Sequence, residues 1–293
     1  MTVYSIKDLE LISGIKAHTI RIWEQRYGLF TPQRTETNIR YYDSDQLCKL
    51  LNISNLIANG YKVSQIAKLS KPDMQNKVNE LIDSNELTDT KAGILINRLI
   101  DSAINYDEEL FQELFYKSVD TYGLIGAFTH VIYPMLIRIG LMWFKQDIIP
   151  AQEHFISNLI RQKLFVAINS LEQASNNAES WLLFLPEDEE HEIGLLLSYF
   201  ILKSKGKRVF YLGQRVPISS LDSIIHKKQP DAIHFFLVKN NCCKKTQEYI
   251  DQISEISKGI KVHVSGNEIL KSQVKMPRIF NWINSLEKFT SKI

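Results

Sequence analysis

Lys16-Ala17-His18-Thr19-Ile20-Arg21-Ile22-Trp23-Glu24-Gln25-Arg26-Tyr27-Gly28-Leu29 is the stretch from which the N-terminal quarter of the chain can be read. Ile15, Thr19, Ile20 and Trp23 fall at helical spacing for one buried side. Gly28, followed by Pro32, cannot continue that helix. Upstream, Ser5 with Asp8 three positions on forms a capping-box-like start for a short helix over 5–12, which Ser13-Gly14 breaks. Helix, glycine turn and second helix make a helix-turn-helix. Downstream, Pro32 to Arg34 and Ile39 to Tyr42 read as the arms of a hairpin with Thr35-Glu36-Thr37-Asn38 at its tip. Asp43-Ser44-Asp45 then caps a helix that runs to about Asn59 and ends at Gly60, and Ser64 to Leu69 forms a short one. Residues 1–72 are therefore expected to form a winged helix-turn-helix.

Beyond Lys71-Pro72-Asp73 a polar helical segment serves as a linker over 73–89. From 90 to 175 the periodicity is helical, with segments near 91–104, 107–119, 122–143 and 150–173 that predict a four-helix bundle. Pro150 suits the first position of its helix, where a missing N–H costs nothing. At Trp181 the pattern changes. Strands at 181–186, 208–212, 232–238, 261–264 and 278–280 alternate with helices near 190–204, 218–228, 244–257 and 267–272, and a last helix lies near 283–291. This alternation predicts a Rossmann-like, doubly wound parallel sheet over 179–293. The fold class is thus multidomain, α followed by α/β.

Composition is that of a globular chain: 293 residues, 44% hydrophobic and 23% charged. Apolar runs such as Leu182 to Leu185 fall far short of the roughly 18 residues a membrane span needs. The N-terminus lacks the layout of a signal peptide, so a cytoplasmic protein with no membrane partner is expected. Cys48, Cys242 and Cys243 give neither an even disulfide framework nor a C-x-x-C pair, and are read as reduced thiols. Net charge is +2 overall, but residues 1–70 hold nine basic against six acidic side chains. That mild bias suits a polyanion.

A helix-turn-helix lays its second helix in the major groove of DNA, so the side chains facing away from Ile20 and Trp23 matter most. These are Lys16, His18 and Arg21, with Glu24 beside them; Thr19 and Arg26 complete the set on this helix. Arginine can take guanine through two hydrogen bonds, whereas Arg34, Arg40 and Tyr41 of the wing are placed for phosphates. The string from Thr19 to Leu29, followed by Pro32, Arg34 and Arg40-Tyr41-Tyr42, resembles the MerR family of winged regulators over residues 1–70. That resemblance implies an operator of double-stranded DNA bound by a dimer. The family's long dimerising coiled coil has no counterpart here, since no apolar heptad runs for three or four repeats after residue 70. Self-association must then come from the C-terminal domains, as dimer or tetramer.

A second set of residues points to a cofactor. After the first strand comes Pro186-Glu187-Asp188-Glu189-Glu190-His191-Glu192-Ile193-Gly194. Ligands of doubly wound sheets sit at the carboxyl ends of strands, which is where His191 falls. Glu189 can orient its imidazole, and Gly194 lets a flat macrocycle approach the helix start. In the bundle, Trp143 is followed after nine residues by Glu153-His154, one loop away. Trp-x9-Glu-His in a bundle, then Glu-x-His-x-x-Gly after the first strand of a Rossmann-like domain, resembles cobalamin-binding modules. With the MerR-like head the chain is similar to the light-sensing, B12-dependent repressors of the CarH/LitR type.

The resemblance implies a non-enzymatic regulator, in the expected case a repressor, in which adenosylcobalamin controls oligomeric state and operator binding. His191 would be the lower axial ligand of cobalt; Trp143, Glu153 and His154 would cover the upper face; Glu189, Gly194 and Gly266 would belong to the same cofactor site. Three positions depart from the pattern. Phe144 stands where photoreceptors carry a second histidine, Phe235-Phe236-Leu237 replaces Ser-x-Leu after the third strand, and Ser265-Gly266 replaces Gly-Gly. A MerR-type regulator that works without cobalamin, switched by a protein antagonist, is the alternative those phenylalanines favour. A corrinoid methyl carrier is the enzyme-class alternative, but no barrel of the usual ~250 residues accompanies the module.

Overall fold

Caps and glycines set the first helices. In α1 (Ile6–Ser13) the Ser5 hydroxyl accepts from Asp8 N while the Asp8 carboxylate accepts from Ser5 N, a complete capping box, and Gly14 ends the helix in the left-handed region. Both halves of the box satisfy N–H groups that the first turn leaves unpaired. The second helix, α2 (Ala17–Tyr27), buries Ile20 and Trp23 and stops at Gly28, φ 61°. A two-residue antiparallel pair, β1 (Gln33–Arg34) and β2 (Arg40–Tyr41), forms the wing. Asp43 caps α3 (Ser44–Ala58), and α4 (Val63–Ile66) follows. This computed structural model describes residues 4–34, 38–83, 89–144, 149–238 and 243–293; the hairpin tip at 35–37 lies outside them.

The chain divides into two compact units, Met1–Ser157 and Asn158–Ile293. In the first, the stretch read as a linker is helical as α5 (Lys71–Asp83) and buries Met74 and Val78. It leads to α6 (Asp89–Asn105) and α7 (Glu108–Ala127), then a π turn (Phe128–Ile132), α8 (Tyr133–Phe144) and α9 (Pro150–Asn169). The sequence predicts a gap between 119 and 122; instead the helix runs on and kinks at Gly123 (φ 68°, ψ 167°), a conformation only glycine adopts freely. The run Glu108–Gly140 is long and apolar enough to cross a membrane by length and composition, yet Phe111, Leu114, Phe115, Phe128, Val131 and Met135 are buried in the bundle. These six serve the core, while Tyr116, Tyr133 and Ile137 of the same run are exposed.

A buried polar junction ties the head to the bundle. Asn97 of α6 donates to Asn55 Oδ1 of α3 at 2.5 Å and accepts from Arg138 Nη1 of α8 at 2.6 Å. Arg98 donates to Asn79 of α5 at 2.5 Å. Burial lowers the pKa of both arginines from the ordinary guanidinium range.

The second unit is a five-stranded, all-parallel sheet in the order β4-β3-β5-β6-β7. Its strands are β3 (Ser180–Pro186), β4 (Arg208–Val216), β5 (Ala232–Leu237), β6 (Lys261–Gly266) and β7 (Phe280–Ile283). Between them lie α10 (Glu192–Ser204), α11 (Ile218–Lys228), α12 (Cys243–Ile256) and α13 (Glu268–Gln273), with α14 (Leu286–Thr290) last. One face of the sheet, with Phe184, Ile233 and Phe235, packs on Leu221, Ile225, Ile250 and Ile253 of α11 and α12. The other holds Trp181, His234, His263 and Phe289 of α14. The strand order reverses between β3 and β5, which makes their carboxyl ends the topological switch point. Two elements differ from expectation. The second strand extends to Val216 through register shifts against β3, and the last begins at Phe280 because Phe280, Trp282 and Ile283 are the buried residues.

Candidate DNA-binding and cofactor sites

On the head, the outer face of α2 exposes His18, Arg21 and Arg26, with Thr19 half-buried beside them. Lys16 is the N-cap residue and pairs with Glu10 at 3.1 Å while its side chain stays 70% exposed. The guanidinium of Arg26 lies over the Tyr27 ring. In the wing Arg34 is exposed and donates to Asn38 Oδ1 at 2.7 Å, and Tyr41 Oη donates to Gln33 at 2.6 Å. Arg40 is placed differently from its neighbours. Its Nε binds Glu24 Oε1 at 3.1 Å, Tyr42 Oη donates to the same carboxylate, and both charges are largely buried. Burial and Glu24 push the Tyr42 phenol up to about 12. Glu24 thus fastens the wing to α2 rather than facing outward. A groove of about 320 Å³ runs between Arg21 and the wing, lined also by Lys7, Asn38 and Ile39. The sequence reading missed those three; the Ser5 cap, which puts Lys7 in the first turn of α1, was the available signal.

On α9, Pro150 opens the helix as expected, and buried Gln152 anchors its first turn by donating to Ile104 O at 2.8 Å. Glu153 accepts from Ser157 Oγ at 2.5 Å and holds His154 Nδ1 at 2.8 Å, with His154 71% exposed. Trp143 belongs to α8, but its side chain lies outside the described residues, as do Lys239 and Asn240.

At the switch point, His191 is the N-cap residue of α10. Glu189 is buried, and its Oε1 accepts from Glu190 N, His191 N and His191 Nδ1. Its Oε2 accepts from Val238 N at 2.8 Å, joining the loops that follow β3 and β5. With Nδ1 held by a carboxylate, Nε2 is the ring nitrogen a metal would take, and the side chain is 54% exposed. The neighbouring acids are tied as well. Glu190 pairs with Arg215, while buried Glu192 takes Arg161 at 2.9 Å, Tyr211 Oη at 2.8 Å and Gln214 at 2.6 Å. Arg161, Tyr211 and Gln214 were not foreseen.

Gly194 and Gly266 are constrained by what lies against them. A Cβ on Gly194 would stand 2.7 Å from Phe236 Cε1, so the half-buried Phe236 ring fills the space where the sequence reading puts the edge of a macrocycle. Phe235 points to the opposite face, stacked on Phe184 at 5.4 Å. At Gly266 (φ 143°) a Cβ would fall 1.9 Å from Leu237 O, so this glycine is required by the close approach of β5 to β6. Of the cysteines, Cys48 is a buried free thiol whose pKa burial and Asp101 raise; Cys242 and the Cys243 side chain lie outside the described residues.

Two stretches of the chain match known families. Residues 4–71 match the MerR HTH family regulatory protein model and residues 95–167 match a B12 binding domain. The chain is 26% identical to the HTH-type transcriptional repressor CarH of Myxococcus xanthus, over 94% of this chain and 93% of that one. It is 28% identical to the repressor CarA of the same organism, over 80% and 76%. Among solved structures, the monomethylamine corrinoid protein of Methanosarcina barkeri superposes with a TM-score of 0.54 at 14% identity, covering 68% of this chain and 96% of that one. This last likeness speaks for the fold alone.

Proposed function

Because the chain carries a MerR-type helix-turn-helix domain over residues 4–71 and a B12-binding domain over 95–167, and is thus a B12-binding, MerR-type transcription regulator, we propose that adenosylcobalamin held through His191 sets its hold on operator DNA. The observation that carries this reading is the His191 imidazole at the switch point of the sheet, fixed through Nδ1 by buried Glu189. An imidazole is a ligand that would suit cobalt, and His191 would hold the metal of a bound cobalamin. The His191–Glu189 pair would hold the cofactor's metal; the space beside it, where Phe236 meets Gly194, does not fit a bulky appendage.

Adenosylcobalamin, when bound, supplies a cobalt–carbon bond that light can break. The chain does the rest. Glu189 selects the His191 tautomer that offers Nε2, and its bridge to Val238 N keeps the two loops together. Trp143, Glu153 and His154 are assigned to the upper face, where Glu153 holds His154 Nδ1 as Glu189 holds His191. Gly194 and Gly266 contribute backbone at the same edge. Lys16, His18, Thr19, Arg21 and Arg26 are assigned to the major groove, with Arg34 and Tyr41 on the flanking phosphates and Arg40 beside them, its Nε kept on Glu24 and the rest of its guanidinium turned to the DNA backbone. One head presents few contacts, so assembly into a dimer or tetramer through the C-terminal domains multiplies a weak hold. The protein acts as a repressor in the compartment that holds the DNA, as the named relatives are repressors.

Sedimentation of the full chain with adenosylcobalamin, in darkness and after illumination, tests this. A larger dark species carrying corrinoid absorbance, dissolved by light, is the expected result; no bound absorbance in either condition contradicts it. The contact of Phe236 with Gly194 favours a second reading, a regulator switched by a protein antagonist without cobalamin. Regulation retained in cells that cannot supply B12 would select that one.

A further inference from the structure

We propose that Phe236 closes the crevice beside His191 to the nucleotide appendage on the lower face of cobalamin, so that this chain favours corrinoids whose lower appendage is short or absent. The inference rests on the reading of His191 as the axial ligand. Were a protein imidazole to take the place of the cofactor's own base on cobalt, that base would need room next to the imidazole. In a doubly wound sheet that room is the crevice at the switch point, here between the start of α10 and the end of β5.

Three ring atoms of Phe236 stand within 3.3 Å of the position a Cβ would take on Gly194, three residues beyond His191. Behind the ring is His234, 5.0 Å away centroid to centroid, itself fixed by Ser265 Oγ at 3.0 Å and packed on Phe289 at 4.6 Å. On the other side, Val238, directly after β5, donates to Glu189 in the loop before α10. Phe235 cannot exchange roles with its neighbour, because it faces the opposite core against Phe184. Among the described residues, Phe236 is the side chain that lies against Gly194. The ring is only half-buried, so removing it opens the slot without hollowing the core.

The test compares adenosylcobalamin with adenosylcobinamide, which lacks the nucleotide, by equilibrium binding to the full chain in darkness, read by absorbance. The free base of cobalamin itself competes with His191 for cobalt, so a preference for cobinamide in the unmodified chain is not enough; the change in that preference on Phe236→Ala is the diagnostic. Relief of steric overlap of this kind is worth about ten-fold or more. The inference expects unmodified chain to prefer cobinamide and Phe236→Ala to reduce the preference by at least that factor, with Phe236→Leu in between and the fold retained by circular dichroism. An equal preference in all three chains overturns it, and so does tighter binding of cobalamin by unmodified chain. Retention of neither corrinoid, by unmodified chain or by Phe236→Leu, overturns the axial reading of His191 and this inference with it.

Discussion

The outer face of α2 and the loop before α10 solve opposite problems. On the head, His18, Arg21, Arg26 and Arg34 stand in solvent on a scaffold of buried Ile20, Trp23 and Leu47. At the sheet edge the exposed His191 is oriented by Glu189, which is 2% exposed and accepts hydrogen bonds from Glu190, His191 and Val238. A polyanion is held by many adjustable charges and tolerates their freedom. One directed bond to a metal does not, because the lone pair must point one way. On the proposed reading, the site for charge is written in exposed residues, and the site for coordination in a buried partner.

Acid should break this contrast most strongly. His234 and His263 lie adjacent on β5 and β6, and burial lowers them from 6.5 to about 3 and about 4. Both stay neutral in the folded sheet while the unfolded chain takes up protons below pH 6.5, so the stability they protect is complete above that value and drains as pH falls towards 4. Two such groups make the sheet unit lose about 4 kcal/mol between pH 7 and 5. Denaturant unfolding at the two values measures it, and His234→Leu should remove about half of the loss.

Glu189→Ala comes next. Losing an orienting partner should weaken retention of adenosylcobalamin about 10- to 100-fold, with His191 still present. Equal affinity would mean that the imidazole needs no orientation. On the head, Arg21→Ala should cost operator binding about ten-fold and relax sequence preference at the bases it reads. Arg34→Ala should cost less, weakening all duplexes alike and reducing the salt dependence by about one counterion. A large, sequence-specific loss at Arg34 would reverse the assignment of helix to bases and wing to phosphates.

The parts legible in the sequence were those encoded locally. Ser5, Gly14, Gly28 and Asp43 mark the early helix ends because caps act within a turn, and the five parallel strands announced themselves as apolar runs separated by helical periods. Glu189 was legible because its partner lies two residues away. Contacts across long separations were not. Asn55, Asn97 and Arg138 meet across 42 and 41 residues with no periodic signal, and Glu192 finds Arg161, Tyr211 and Gln214 only once the sheet is formed. Arg40 illustrates the same limit: nothing in the motif pointed to its ion pair with Glu24, 16 residues away. The two phenylalanines also needed the strand's alternation of faces to be told apart, Phe235 into the core and Phe236 over Gly194.

The central claim, that a corrinoid on His191 governs the head's grip on DNA, is tested most directly by the affinity of the full chain for a duplex it selects from random sequence, measured in darkness with and without adenosylcobalamin. The account predicts that the cofactor changes the affinity of unmodified chain by about ten-fold or more, as a shift of assembly should, and leaves His191→Ala unmoved. The same response in both chains, or none in the unmodified one, would contradict it.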